Sequence, residues 1–491
     1  MSGKFYITTA IDYVNGPPHI GHAIQKVWAD VIARYGRLSG KEVFFLTGTD
    51  EHGLNIARAA ERQKKTPQEL ADDNAAKFRG LREALNLSWD DFIRTTDKKR
   101  HWPGVLLMWK NLVAAGDIYR KQYRGLYCAG HEAFITEKDI VDGKCVLHGK
   151  PPEAIDEENY FFRLSKYSKE IGDKIRSNEL AIVPESRKNE ILSLIEREGL
   201  EDVSFSRSRG QLEWGIPVPG DESQTMYVWC DALTNYISAI GYGRNEDWKK
   251  WWPADLHVLG KDNLRFHAAI WPGMLLSAGL PLPKKLFVHG FVTANGQKMS
   301  KTIGNIIDPY AIVKKYGTDA VRYYFLREIS SHEDGDFSEK KLEALYNADL
   351  ANGIGNFAAR VLTLAESDAN LRIYANTANK VPDDIEKKLQ ETKKTVAEKI
   401  EEFKFHEALA SIWGLISFGD EYVNKSEPWK IADPKIRTQT VFDLIVLLDN
   451  IAALLAPFLP GSAEKITKSI VWEGNSFTIK KGEVLFPRLS R

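Results

Sequence analysis

Three cysteines in 491 residues are too few for a disulfide-built scaffold, so Cys128, Cys145 and Cys230 point to a reducing compartment. Neither sign of charge is in excess. Lys plus Arg and Asp plus Glu each number 67, so no overall field draws the chain onto a polyanion, and nucleic-acid binding must use local clusters. No long apolar run opens the chain: in MSGKFYITTAIDY, Thr8, Thr9 and Asp12 interrupt the pattern, which argues against a signal peptide and export. The most apolar stretch, Val441 to Leu459, is broken by Asp443, Asp449 and Asn450 and closes with Pro457 and Pro460, the pattern of a core helix rather than a membrane span. Internal repeats and low-complexity tracts are also missing. What remains has 43% hydrophobic and 27% charged residues, as in an ordinary soluble globular protein. The length predicts two to four domains and excludes a small binding module.

The first part alternates β-rich runs with helical patterns, as a parallel α/β sheet with crossover helices requires. FYITTAI, EVFFLTG, HVLG (His257 to Gly260) and LFVHGFV (Leu286 to Val292) are the predicted strands. Between the two pairs lies a stretch that breaks this rhythm, read as an insertion splitting the sheet. Beyond about residue 345 a 3.6-residue period takes over, with Phe357, Val361 and Leu364 on one face and Ile412, Leu415 and Ile416 on another, predicting a helical bundle. DDIEKKLQETKKTVAEKIEEF reads as a solvated helix with opposite charges at i, i+4. The expected divisions are 1–115 and 226–305 for the two halves of the sheet domain, 116–225 for the insertion, 306–345 for a linker and 346–491 for the bundle.

Ligands of an open parallel sheet bind beyond the carboxyl ends of its strands. Four segments follow the predicted strands here: DYVNGPPHIGHA, TDEHG, KDNLRFH and TANGQKMSKT. In the first, Asn15-Gly16-Pro17-Pro18 forces a turn and His19-Ile20-Gly21-His22 opens a helix whose free N–H groups favour phosphate. His19 and His22 are three apart and share a face, while Gly21 leaves room for a flat ring, which suits a nucleotide. In the last, Lys298 and Lys301 lie on a Gly-flanked loop from which two ammonium groups can clamp a polyphosphate. In the insertion, Cys128-Ala129-Gly130-His131 and Cys145-Val146-Leu147-His148 form two Cys-x2-His knuckles whose spacing suits tetrahedral Zn²⁺.

PHIGH and KMSKT, in this order, resemble the signatures of class I aminoacyl-tRNA synthetases. FFLTGTDEHG, ENYFFRLSKY, YVWCDALTNY, VLGKDNLRFHAAIWP and VHGFVT extend the resemblance, over essentially the whole chain, to the methionyl-tRNA synthetase family. The resemblance implies a split Rossmann-like catalytic domain with an inserted knuckle domain, a stem-contact linker and an all-α anticodon-binding bundle. It implies ligation of L-methionine to tRNA(Met) through methionyl-adenylate, with ATP, Mg²⁺ and structural Zn²⁺, in the cytoplasm. His19, His22, Lys298 and Lys301 would stabilise the reacting triphosphate, and Gly21, Gly260 and Asp262 would face adenosine. The methionine pocket would comprise Ile11, Tyr13, Asp50, Trp229, Ala232, Leu233, Tyr236, Asn263, His267 and Trp271. Asp50 would hold the ammonium, with the polar tips of Tyr236 and His267 near sulfur. Leu233 stands where some relatives have proline, and Thr302 where the lysine motif often ends in serine. Asn356, Arg360 and Trp429 match the positions that read the CAU anticodon. A monomer without a membrane partner is expected. The alternatives are a class I synthetase for another apolar amino acid, a simpler nucleotidyltransferase, or a catalytically silent RNA-binding relative.

Overall fold

The computed structural model describes residues 3–128, 133–135, 139–146, 149–299, 304–367, 381–473, 476–480 and 482–489. Seven strands form the main sheet: β1 (Lys4–Thr9), β2 (Asp12–Tyr13), β3 (Glu42–Asp50), β4 (Asp91–Arg94), β5 (Ala181–Val183), β6 (Leu256–Gly260) and β7 (Lys285–His289). Their order is β5-β7-β6-β1-β3-β2, β4 also pairs with β3, and every pairing is parallel. A parallel sheet is covered on both faces, and its strands accordingly read as continuous apolar runs. Tyr6, Ile7, Phe45, Leu46, Val258, Leu259, Leu286, Phe287 and Val288 are all buried. Where hydroxyls enter this interior they pair, as Thr9 does with Thr47 at 2.7 Å.

Two details differ from the sequence reading. Ala181–Val183 falls inside the stretch expected as an insertion yet joins the sheet as the edge partner of β7; three residues are too short to show a periodicity. The run Leu286 to Val292 is also divided. β7 stops at His289, and Val292–Ala294 pairs instead with Gly335–Phe337. Gly290 allows this, because a Cβ there would lie 2.1 Å from the carbonyl oxygen of Glu333. The other described strand pairs of the insertion are antiparallel, as with Ile118–Cys128 against Glu153–Phe162, and the helices Ser168–Arg176 and Glu185–Glu198 also lie within it.

The helices used below are α1 (Ile20–Leu38), α2 (Trp102–Ala114), α3 (Val228–Leu233), α4 (Asn235–Ser238), α5 (Thr318–Arg327), α6 (Asn356–Glu366), α7 (Asp383–Glu401), α8 (Phe405–Ser426), α9 (Pro434–Leu455) and α10 (Pro460–Ser469). The chain divides into two compact units. The first, Met1–Pro18, Gly36–Leu81 and Ser88–His289, holds the sheet; the second is His19–Tyr35, Arg82–Leu87 and Gly290–Arg491.

The second unit contains the predicted bundle. Phe357, Ala358, Val361, Leu362 and Ala365 are the buried stripe of α6, so Leu362 takes the place given to Leu364. Ile412, Leu415 and Ile416 are buried in α8 as expected. The charged helix α7 is amphipathic, burying Ile385, Leu389, Val396 and Ile400. α9 is apolar and long enough to cross a membrane, but Val441, Leu444, Ile445, Leu447, Leu448 and Ile451 are buried within the protein.

Three segments of this unit meet at one buried cation. Arg322 of α5 pairs with Asp30 of α1 at 2.8 Å, both side chains fully buried. Its remaining donors reach the carbonyl oxygens of Leu85, Pro457 and Phe458 at 2.8 to 3.0 Å. Arg322→Met leaves a buried carboxylate and three carbonyls without this donor fork and should destabilise by about 3 to 5 kcal/mol. Asp30→Asn, whose amide oxygen still accepts, should cost less. Urea unfolding of the two variants checks the order.

Candidate active site

In the first unit, the strand ends deliver buried carboxylates and an apolar wall. Asp50 is buried at the carboxyl end of β3, with Ile11 and Tyr13 half-buried after β1. Trp229, Ala232, Leu233 and Tyr236 recur at i, i+3, i+4 and i+7, so α3 and α4 present them on one face. Ile11 and Trp229 pack with Leu212, Tyr227, Val228 and Ala232, and Leu233, Tyr236 and Trp271 belong to the adjoining core. The indole of Trp229 stacks on Phe266 with ring centres 3.6 Å apart. Phe266 was not among the residues expected here, although it lies in the quoted run VLGKDNLRFHAAIWP. Trp271 is fully buried, its ring 6.0 Å from Tyr236 and 5.8 Å from Trp252, and therefore backs the wall from the core side.

Tyr236 and His267 are joined to each other at 2.6 Å, through the hydroxyl and Nε2. Burial lowers the imidazole to about 4, so it is neutral. Its Nδ1–H donates to the carbonyl of Asn263 at 2.9 Å, leaving Nε2 as the acceptor. The Tyr236 proton is thus committed to His267, leaving the phenol's lone pairs and ring for other contacts. Asn263, expected to line the pocket, fixes this tautomer through its backbone. At Gly260 a Cβ would lie 2.6 Å from Oδ1 of Asp262, so the exposed carboxylate folded back over it would have to swing away.

The sequence reading passed over three buried groups in the same unit: His52, His101 and Asp231, joined at 2.6 and 2.7 Å. Two lie in quoted runs, TDEHG and YVWCDALTNY, but their pairing across 179 residues has no local signal.

In the second unit, His19 and His22 form a reciprocal cap. His19 precedes α1, and its Nδ1 accepts from the N–H of Gly21 at 3.1 Å, while Nδ1 of His22 accepts from the N–H of His19 at 3.1 Å. This is capping-box logic with imidazoles in place of hydroxyl and carboxylate. In the neutral rings, both Nδ1 atoms accept and both Nε2 atoms carry hydrogen, so the pair presents N–H donors suited to phosphate oxygen. The rings stack with centres 3.8 Å apart. A Cβ on Gly21 would lie 2.9 Å from the His19 ring, so this glycine first serves the cap. The same position is 3.7 Å from Cε of Met299, which brings the lysine loop to the helix start. Ile20 N–H donates to the carbonyl of Ile307 at 3.2 Å, tying the chain after that loop to the same turn. Lys298 ends the short strand Gln297–Lys298, and its side chain, like all of Lys301 and Thr302, lies outside the described residues.

Of the proposed metal ligands, Cys128 and Cys145 are buried together in a small cluster with Leu126 and Ile140. Gly149 N–H bonds to the carbonyl of Cys145 at 2.7 Å, closing a tight turn. His131 and His148 lie outside the described residues, and no group of three metal-binding side chains occurs among the described ones.

On the bundle, Asn356 is exposed and Arg360 half-buried on α6, and Trp429 is 53% exposed after Glu427, whose φ is 40°. Arg360 is held by Asp420 at 3.1 Å and Asn424 at 2.7 Å, both on α8, which fixes the orientation of its guanidinium.

The histidine turn and Met299 thus meet at the start of α1, and comparison with known proteins assigns the class. The family model described as tRNA synthetases class I (M) matches residues 5–145 and 135–362, and the anticodon-binding domain of tRNA ligase matches 383–486. The chain is 42% identical over 476 residues to the methionine–tRNA ligase of Brucella melitensis biotype 1, covering 94% of this chain and 91% of that one. The Thermotoga maritima methionine–tRNA ligase is also 42% identical, over 96% of this chain and 76% of its own length. Mycobacterium tuberculosis methionyl-tRNA synthetase in complex with methionyl-adenylate superimposes with a TM-score of 0.93 at 37% identity, over 99% of this chain and all of that one. The chain belongs to the methionine–tRNA ligase family.

Tyr236→Phe tests the Tyr236–His267 bond. It strands a buried acceptor at Nε2 and should destabilise by about 1 to 3 kcal/mol, read from denaturant unfolding monitored by tryptophan fluorescence.

Proposed function

We infer that this enzyme joins L-methionine to tRNA(Met) in two steps. The methionine carboxylate attacks the α-phosphate of ATP, giving methionyl-adenylate and pyrophosphate; the terminal ribose hydroxyl of the tRNA then takes the methionyl group and releases AMP. No bond to the protein forms, so the work of the side chains is positioning and electrostatic stabilisation. The observation that carries this reading is the histidine cap of α1, whose Nδ1 atoms are both engaged by backbone N–H groups. That arrangement supplies two aimed donors for charge that grows on the triphosphate as pyrophosphate departs. Lys298 and Lys301 neutralise the pyrophosphate, and Gly21, Gly260 and Asp262 receive adenosine. Asp50 pairs with the substrate ammonium, and Ile11, Tyr13, Trp229, Ala232, Leu233, Tyr236, Asn263, His267 and Trp271 form or support the side-chain pocket. Mg²⁺ accompanies ATP and offsets phosphate charge.

Asn356, Arg360 and Trp429 read the CAU anticodon, supplying an amide, a preoriented guanidinium and an exposed indole for unstacked bases. The bundle from residue 346 is the anticodon-binding part, and the enzyme works in the cytoplasm as a monomer. Two thiols buried in one small cluster suit Zn²⁺, so Cys128 and Cys145, with His131 and His148, would hold the ion, which would supply a structural cross-link to the knuckle.

Pyrophosphate exchange screened across all amino acids tests the assignment: exchange should require methionine. In that assay His22→Asn keeps an acceptor for the His19 N–H but removes the Nε2 donor. It should lower kcat about 10² to 10³-fold with methionine KM and melting temperature nearly unchanged. A fall in stability with kcat intact would reduce His22 to a cap. Protein purified without chelator should contain about one zinc per chain, and Cys145→Ser should lower that content, measured by elemental analysis.

A further inference from the structure

The back of the amino-acid wall carries a polar assembly that the chemistry above does not use. Trp229, Ala232, Leu233 and Tyr236 occupy one helical face; Asp231 and Ser238, seven apart, fall on the opposite face. The helix is not continuous. α3 ends at Leu233 and α4 begins at Asn235, with Thr234 between them at φ -68° and ψ -13°. Pieces of six and four residues have little intrinsic stability; Thr234 bonds to the Cys230 carbonyl at 2.7 Å and Asn235 to that of Ala232 at 2.5 Å across the break, and further alignment comes from outside.

His101, in the turn that opens α2, spans the break. Its Nε2 is 2.7 Å from Asp231 Oδ1 in α3, and its Nδ1 is 2.8 Å from Ser238 Oγ in α4. The other carboxylate oxygen of Asp231 is 2.6 Å from Nδ1 of His52. Burial would raise this carboxyl, but the two histidines outweigh it and hold it at about 2, so it stays an acceptor. His52 follows Asp50 by two residues, so the assembly links the strand end that holds the ammonium partner to the wall that meets the side chain. The seating is close. A Cβ on Gly104 would lie 2.7 Å from Cβ of Ser238 and 2.9 Å from the carbonyl oxygen of Tyr242.

We propose that His52, Asp231 and His101 are positioning residues for amino-acid specificity: they hold α3 and α4 in line and so set the depth of the wall formed by Trp229, Ala232, Leu233 and Tyr236. The proposal rests on reading that wall as the methionine pocket.

The test is pyrophosphate exchange by the full chain with methionine and with ethionine, one methylene longer. His101→Leu removes both bonds; His101→Gln retains a donor near the Nε2 position. His101→Leu should raise methionine KM about tenfold and narrow the methionine-to-ethionine ratio of kcat/KM about fivefold, with kcat at saturation within about threefold. His101→Gln should lie nearer the parent. Gly104→Ala breaks no hydrogen bond but wedges α4, and should narrow the same ratio even where His101→Leu fails to fold. Asp117→Asn disturbs a separate buried network with Lys166, Tyr167 and Ser277; it should lower the melting temperature and leave the ratio alone. Parent-like ratios in a folded His101→Leu or Gly104→Ala protein, or an equal shift in Asp117→Asn, overturn the proposal. Absence of methionine-dependent exchange in the parent would instead overturn the pocket assignment.

Discussion

A fully buried guanidinium needs every donor met, and in Arg322 that requirement organises the second unit. Its partners come from α1, from the segment before Ser88, and from the turn between α9 and α10. No single element can satisfy it, so all three must be in place together. Asp30 also receives Arg34 at 2.8 Å, and Arg34 reaches the carbonyl of Asn86 at 2.6 Å, extending the same tie one turn along α1. α1 is thereby fixed at a point two turns beyond His22. Such a site contributes less through net stability than through the cost of any arrangement that leaves it incomplete.

Fixing α1 matters because its first turn is a chemical group as well as a helix end. Helix starts leave N–H groups unsatisfied and attract anions. Here that capacity is partly redirected: the Gly21 and His19 N–H groups go to imidazole nitrogens and the Ile20 N–H to Ile307. The imidazoles in turn carry their own N–H groups at Nε2, further from the backbone. The helix start thus extends its donor set outward through two side chains whose tautomer the backbone dictates. A donor locked in this way need not reorganise when charge develops on a phosphate.

The sequence made legible what local rules govern. Parallel-sheet strands are apolar along their length, so FYITTAI, EVFFLTG and HVLG could be recognised, and the period of the bundle follows from its buried stripes. The histidine helix and lysine loop were visible because turn residues, strand ends and spacing coincide within a few positions. His101, His52 and Asp231 were not, since they lie 130 and 179 residues apart in sequence and each has an ordinary neighbourhood. Arg322 was hidden in the same way, since nothing within TDAVRYYFLR marks it as the residue that Asp30, Leu85 and Phe458 converge on. The sharing of the Tyr236 proton with His267 depends on which imidazole nitrogen Asn263 holds, and sequence carries no information about that.

Two imidazoles flank Tyr236 of the proposed pocket, His267 and His257, the latter with its ring centre 4.4 Å away, and their neutrality bears on what such a site can choose. Burial keeps His267 at about 4 and His257 well below its usual range, and it raises the Tyr236 phenol above its own. An anionic substrate side chain would then enter a wall of neutral dipoles without a counter-ion, near the carboxylates of Asp12 and Asp50 that act on the Tyr236 phenol, at a cost of several kcal/mol. In the proposed methionine pocket, electrostatics therefore disfavours glutamate and aspartate. It says nothing about methionine against leucine, isoleucine or a longer thioether, whose differences are apolar. A hydrophobic pocket separates those by only about 1 to 3 kcal/mol per methylene. At that scale a small displacement of the wall erases the distinction. The position of Trp229, Ala232, Leu233 and Tyr236 consequently carries the remaining selectivity, and a chain that places them on two short helical pieces must hold those pieces by contacts on their opposite face.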